Sequence, residues 1–287
     1  MQHIMEHGFR GIPIIDHLEI LMSLCGVSYK LELEVDCMPY QMEGKVAVVT
    51  GATSGIGRAS VLDFATHGVN VVASGRREEL GAELLAEAQG LPGEVIFLRA
   101  DVTIAEDVEN IITTAVSEYG HIDYAFNNAG GARNIGRLHE ISDDDWNHYS
   151  DTFLKSVWRC MKHEVAHMLL NGSGVIINNA STAGLFSSDN APYTAVKHGV
   201  VGLTKAASRQ YKGEGLRFNA VCPGWIETEM TSGWRDNPMA ESEIRSQQSV
   251  QRIGAPEEAA VLVRWMCSDE AAYITGVAWL IDGGISA

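Results

Sequence analysis

The chain reads as a single α/β domain with a doubly wound parallel sheet and helices on both faces. Three observations carry that expectation. From Gly44 onward, short β-branched runs alternate with helical stretches, the rhythm of strands joined by crossover helices. A glycine-rich turn follows the first of those runs directly. The length, 287 residues, suits one large α/β domain and falls short of two.

The elements follow in order. Strands are expected at Val46–Thr50, Asn70–Ser74, Glu94–Arg99, Ile122–Asn127, Gly174–Ala180, Leu216–Cys222 and Val277–Ile281. Helices are expected to begin near Gly55, Arg77, Ile104, Ser142, Ala191 and Pro256. Trp225 to Ile253 is polar and irregular, with Gly233 and Pro238 inside it, and reads as a lid over a site. The domain is therefore placed at residues 44–287, with the lid near 225–253. Residues 1–43 lack the rhythm and form an N-terminal extension of unassigned role; Tyr29 to Val35 alternates like a short strand.

Composition narrows the function. Hydrophobic residues make up 46% of the chain and charged residues 20%, enough apolar material for a normal core. A formal charge of −16 argues against nucleic acid or anionic lipid as partners, since either needs a clustered basic surface. No apolar run is long enough to cross a bilayer; the best, Ile12 to Val27, is broken by Asp16, His17 and Glu19. Five widely spaced cysteines, none at CxxC spacing, read as free thiols in a reducing cytoplasm and argue for no metal site.

Chemistry begins at Gly51-Ala-Thr-Ser-Gly55-Ile-Gly57, between the first strand and the first helix. Glycine lets a backbone turn sharply and approach a pyrophosphate, and the new helix offers free N–H groups and a positive dipole end. An ordinary glycine-rich turn is the bland alternative, and its position argues against that. Further motifs follow in register: Asp101 after the third strand, Asn127-Asn-Ala-Gly130 ending the fourth, Ser181 after the fifth, Tyr193-Thr-Ala-Val-Lys197, Asn219-Ala-Val-Cys-Pro-Gly224 with Thr228, and Asp282-Gly-Gly284.

This set resembles the short-chain dehydrogenase/reductase family, single-domain type, over about residues 44 to 287. The resemblance implies a Rossmann-type fold and a nicotinamide dinucleotide. It places that cofactor against Gly51, Ser54, Gly55, Ile56 and Gly57, then Arg76, Asp101 and Val102. Asn128, Ala129, Gly130, Tyr193, Lys197, Pro223, Gly224, Ile226 and Thr228 complete the expected contacts. It also implies a homo-oligomer, a tetramer, acting on a small alcohol or ketone.

The second strand runs into Gly75-Arg76-Arg77, with Gly75 at the position where an acidic side chain would read the ribose of NAD(H). Arg76 suits a 2′-phosphate, so NADP(H) is expected over NAD(H). The alternative is that both arginines begin a solvated helix.

Tyr193 and Lys197 lie four residues apart and share a helical face. A free tyrosine, with a pKa of about 10, is a poor base at neutral pH, and a nearby ammonium favours its phenolate. By resemblance Tyr193 is the acid/base, Lys197 also holds the nicotinamide ribose, and Ser181 orients the substrate oxygen. The Ser181–Tyr193 interval is one residue shorter than is usual in the family. A larger departure is Phe153, which stands in Thr152-Phe-Leu-Lys-Ser156 where members usually carry an asparagine supporting a water relay. Phenylalanine has no polar atom for that contact. Two functions follow: a redox enzyme, or a catalytically weak dinucleotide-binding regulatory or scaffold protein.

His163-Glu-Val-Ala-His167 matches the zinc-peptidase pattern His-Glu-x-x-His. No third ligand is apparent after it, so no metal is assigned. Substrate choice is expected from Ala132–Ile141 and from the lid, where Trp225, Met230, Trp234 and Met239 suggest an apolar lining.

Overall fold

A computed structural model describes residues 42–131, 133, 136–232 and 238–287. Tyr29–Val35, Trp234 and the first 41 residues of the expected extension lie outside the described residues.

Seven strands form one parallel sheet: β1 (Val46–Thr50), β2 (Asn70–Gly75), β3 (Val95–Arg99), β4 (Tyr124–Asn127), β5 (Gly174–Asn179), β6 (Leu216–Pro223) and β7 (Ala278–Ile281). Their order is β3-β2-β1-β4-β5-β6-β7, so the winding reverses between β1 and β4. That reversal opens a crevice at the carboxyl ends of the strands, where ligands of such sheets bind.

The strands read as continuous apolar runs because helices cover both faces. One row crosses the sheet in register: Val72, Val48, Ala125, Ile176 and Phe218. Each of the five is at most 1% exposed. Burying an aliphatic or aromatic side chain of this kind contributes about 1.5–3 kcal/mol, which makes the row the sheet's anchor. Strand β4 starts two residues later than expected, because Asp123 is occupied otherwise. Its carboxylate accepts the Val46 N–H at 2.8 Å and Lys45 Nζ at 3.0 Å.

Helices α1 (Gly55–Thr66), α2 (Glu78–Glu87), α3 (Ala105–Tyr119), α4 (Asp143–Tyr149), α5 (Ser156–Asn171), α6 (Ala191–Gln210), α7 (Pro238–Gln247) and α8 (Pro256–Cys267) connect the strands. Ser142 caps α4 by accepting the Asp145 N–H at 3.1 Å, and Asn190 caps α6 by accepting the Tyr193 N–H at 2.9 Å. Two features depart from expectation. A π-helical turn, Ser150–Lys155, joins α4 to α5. The lid is not irregular throughout: it contains α7, whose Ile244 is buried and whose Glu241 and Arg245 pair along the helix.

Candidate active site

Loops from β1, β4 and β6 converge at the crevice. Gly51 sits at φ +66°, and a Cβ there would lie 2.7 Å from Ala129 Cα. A Cβ on Gly57 would lie 2.2 Å from the Gly51 carbonyl oxygen. Only glycine permits this closure. Thr50 Oγ1 accepts the N–H groups of Asn128 and Ala129, both at 3.1 Å. Asn128 Nδ2 returns bonds to the Thr50 and Gly51 carbonyls, also 3.1 Å each. Gly130 lies under the Phe153 ring. Ser54 precedes α1 without a side-chain cap, which leaves the first N–H groups of that helix, beginning at Gly55 and Ile56, aimed at the crevice. Thr228 packs on Gly55, its Cγ2 2.8 Å from where a Cβ would stand.

At the β6 end, Gly224 N–H donates to the Ile281 carbonyl at 3.0 Å, which sets Pro223 and Gly224 beside β7. Ile226 is buried, and the Thr228 N–H donates to Thr231 Oγ1 at 2.9 Å. The cavity next to Thr228, about 270 Å³, is lined mainly by polar groups, including Glu227, Thr231, Glu241, Arg245 and Arg252. Met230 and Met239 are 49% and 81% exposed and do not line this cavity.

The two arginines after β2 part company. Arg76 extends to Asp101, with Nη1 3.9 Å from Oδ2. Arg77, which the sequence suggested only as a helix start, reaches over the glycine loop. It donates to Ser54 Oγ at 2.9 Å and Thr53 Oγ1 at 3.3 Å, and pairs with Glu229 of the lid at 2.7 Å. A Cβ on Gly75 would stand 2.6 Å from Thr53 Cγ2, so the packing disfavours an acidic side chain there. Burial raises the Asp101 pKa, but bonds from the Thr103 N–H and hydroxyl and the Arg76 charge outweigh it and hold the carboxyl below its ordinary value. Val102 is buried beside it, its carbonyl accepting from Arg159 at 3.0 Å.

Ser181, Tyr193 and Lys197 come together between β5 and α6. Burial pushes the Tyr193 phenol up to about 12, against a side-chain hydrogen bond with Ser181. The shortened interval therefore still lets the two meet. Lys197 is 4% exposed and donates to the Asn179 carbonyl at 2.6 Å. Burial pulls its ammonium down to about 7. In the free protein, then, burial outweighs the expected ammonium–phenolate attraction: both groups are pushed toward neutrality.

Phe153 packs against both. Its ring centroid lies 5.0 Å from Lys197 Nζ and 5.2 Å from the Tyr193 ring, edge to face. Tyr149, one helical turn earlier, stacks on Phe153 at 5.6 Å. Its hydroxyl donates to the Arg133 carbonyl at 2.6 Å and accepts Asn190 Nδ2 at 2.7 Å. Sequence reading missed Tyr149, although its i,i+4 spacing from Phe153 was a usable signal. The Asn179 contribution is a backbone carbonyl and leaves no mark in residue type.

His163, Glu164 and His167 do not form an open site. Glu164 points into the core at 0% exposure, and among the described residues no cluster of metal-ligating groups is found.

A Cβ-free cradle at a helix N-terminus, at the reversal point of a parallel sheet, fits a dinucleotide pyrophosphate. Fold and site together define a nicotinamide-dependent oxidoreductase. A family model described as enoyl-(acyl carrier protein) reductase matches residues 51–286. Cyclohexanol dehydrogenase of Acinetobacter sp. (strain SE19) is 37% identical over 247 residues, covering 86% of this chain and 96% of that protein. A 3-oxoacyl-(acyl-carrier-protein) reductase, FabG, of Thermotoga maritima is 37% identical over 246 residues, covering 85% and 99%. A 3beta-hydroxysteroid dehydrogenase of Mediterraneibacter gnavus is 35% identical over 268 residues, covering 86% and 96%. The chain belongs to the short-chain dehydrogenase/reductase family and is an NAD(P)-dependent oxidoreductase.

Proposed function

We propose that this protein interconverts a secondary alcohol and its ketone, with Tyr193 as general acid/base and NADP(H) preferred over NAD(H). The observation that carries this reading is the approach of Tyr193 to Ser181 and to Lys197, whose partner Asn179 in turn bonds Asn128 of the clip on the glycine loop. The names of the three relatives point to alcohol, ketone or hydroxysteroid chemistry, which is the shared substrate class.

When bound, the nicotinamide supplies or accepts the hydride. Ser181 Oγ holds the substrate oxygen, and the Tyr193 hydroxyl gives it a proton during reduction and takes one back during oxidation. A phenol held near pKa 12 in the free protein is protonated at neutral pH, the state reduction requires. Lys197 stands beside the phenol and offers its ammonium to the nicotinamide ribose. At the other end Arg76 and Arg77 receive the 2′-phosphate. Gly75 supports this: an acid there, needed to read an unphosphorylated ribose, would collide with Thr53. The reading extends to a cytoplasmic homotetramer, supported by the half-exposed Trp158 on α5 and by family membership.

Turnover of a panel of ketones and alcohols, followed by nicotinamide absorbance, tests the activity. Tyr193→Phe should cut kcat by about 100-fold or more with dinucleotide affinity little changed, because only the ionisable oxygen is lost. Unchanged turnover would remove Tyr193 as the acid/base. Absence of turnover in the wild type would favour the second reading, a regulatory dinucleotide binder, which the apolar Phe153 beside Lys197 motivates. Titration of NADPH against NADH tests the cofactor. Arg76→Asp should weaken NADPH by about tenfold or more, the scale of one charge-assisted contact. A wild type that prefers NADH, with the variant no different, would defeat the preference.

A further inference from the structure

The layer between the sheet and helices α5 and α6 holds a carboxyl group that the proposed reaction does not use. Glu164 of α5 is 0% exposed. Its Oε2 accepts Asn127 Nδ2 at 3.0 Å. The same amide donates its other hydrogen to Asn178 Oδ1 at 3.1 Å, and Asn178 Nδ2 donates to Thr204 Oγ1 at 2.9 Å. Thr204 passes its hydroxyl hydrogen to the Val200 carbonyl at 2.8 Å. The surrounding core is apolar, with Met161, Val165, Met168 and Ile176 among its residues.

Two buried atoms of this network have no partner: Glu164 Oε1 and Asn127 Oδ1. Both are acceptors if Glu164 is ionised. They belong to two residues already joined by one hydrogen bond. No cation is paired with Glu164 among the described residues, and an uncompensated buried charge is strongly disfavoured. A proton on Oε1 resolves both orphans at once, turning one acceptor into a donor for the other.

We infer that Glu164 is a neutral carboxylic acid at physiological pH, whose Oε1–H donates to Asn127 Oδ1 and closes a reciprocal acid–amide pair. The pair is a positioning device. Asn127 ends β4 and begins the turn Asn128-Ala129-Gly130, which is clipped to the glycine loop through Thr50. The consequence for dinucleotide binding rests on the function proposed above; the protonation state does not.

Burial pushes the Glu164 pKa up to about 8, with the Asn127 bond working against it. The groups facing it are Asn127 from β4, Asn178 from β5 and Thr204 from α6, none of which titrates in this range. The face of α3 packed on α5 presents Val108, Ile111, Ile112 and Ala115. On α5 itself the titratable neighbour is Cys160, a fully buried thiol that burial raises well above its ordinary value and keeps neutral.

The sign is fixed by linkage. Between the ordinary glutamate value, about 4.5, and about 8, the folded protein holds a proton that the unfolded chain has released. Its contribution to stability therefore falls as pH rises through that window and is flat above it. Glu164→Gln preserves the shape and supplies a permanent donor, so it should lack this slope. The wild-type folding constant, taken relative to Gln, should fall by up to about tenfold per pH unit between about 5 and 8. Wild-type NADPH affinity should weaken as pH passes about 8, and that of Glu164→Gln should not.

Infrared spectroscopy of wild-type protein carrying 13C-glutamate reads the proton directly and does not need the variant to fold. A protonated carboxyl band that persists at pH 7 and disappears above about pH 9, or is absent from Glu164→Gln, supports the inference. No such band, together with a wild-type pH dependence that matches the variant, overturns it. Failure to bind NADPH at any pH would count against the proposed function alone, since the band and the stability slope do not involve the dinucleotide.

Discussion

Lys197 keeps an ammonium in an apolar enclosure, with the Asn179 carbonyl at 2.6 Å and the Phe153 and Tyr193 ring centroids at 5.0 and 5.5 Å. A ring face returns about 0.5–2 kcal/mol to a cation, less than burial of the charge takes away. That imbalance explains why the group sits near pKa 7 in the free protein. A base whose folded pKa is depressed gives its full stability above its unfolded value, 10.5, and loses it as pH falls toward about 7. Lys197→Met should therefore be more stable than wild type at pH 6–7, by at least about 1 kcal/mol on the scale of one pKa unit. The gap should close toward pH 10, and turnover should be lost. Thermal melts across that range check it; a variant less stable than wild type at pH 6 would show that the lysine is not strained. At this scale the sequence was informative about residue types and silent about partners. Phe153 was legible as a departure, but its place against the ammonium depends on a helix turn that only the fold sets. Arg77 beside Thr53 and Ser54 is the same case: the pair of arginines was visible, and which one crosses the loop was not.

The elements show where sequence patterns carry information. All six expected helix starts fall within a residue of the observed ones. Gly55, Ser142, Asn190 and Pro256 mark four of the boundaries, while α2 and α3 start after Arg77 and Ile104 with no side-chain cap and are marked by the return of the helical period and by acidic first turns. The strands were legible because both faces are covered, so β-branched residues run unbroken. The π-helical turn was not. It changes which backbone groups pair and leaves side-chain composition alone, and a period of 3.6 residues does not register it. It spans Ser150–Lys155 and carries Phe153, whose ring centroid lies 5.0 Å from Lys197 Nζ. Helix α7 was missed because Ile244 is its buried apolar anchor, too little to make a stripe. The cap of α6 joins two levels. Asn190 Oδ1 starts the helix that bears Tyr193 and Lys197, while its Nδ2 holds Tyr149 and, through it, the Arg133 backbone. The helix that bears the proposed acid/base is thus tied to the loop expected to meet substrate.

Over the whole molecule, the question is which part of the chain the reaction needs. Residues Met42 to Ala287 form one compact unit, and every residue assigned to dinucleotide or substrate lies within it. Its first residue is already structural. Met42 is 1% exposed, and its carbonyl accepts the Lys45 N–H at 3.0 Å. Gly44 N–H donates to the Gly68 carbonyl at 2.9 Å, and Lys45 Nζ pairs with Asp123 at 3.0 Å. These contacts seat the chain at the start of β1 before it reaches the glycine loop. A chain beginning at Met42 should therefore fold, bind the dinucleotide and turn over with kcat/KM within about threefold of the full chain, a difference below 1 kcal/mol. A chain beginning at Val46 discards the buried methionine and both backbone ties. It should lose about 2–5 kcal/mol, the cost of emptying a core site of that size. Urea unfolding of the two truncations separates the cases, and NADPH titration completes the test. If the chain from Met42 is folded but cannot bind NADPH, the preceding residues contribute to the site and the boundary of the catalytic unit lies further upstream.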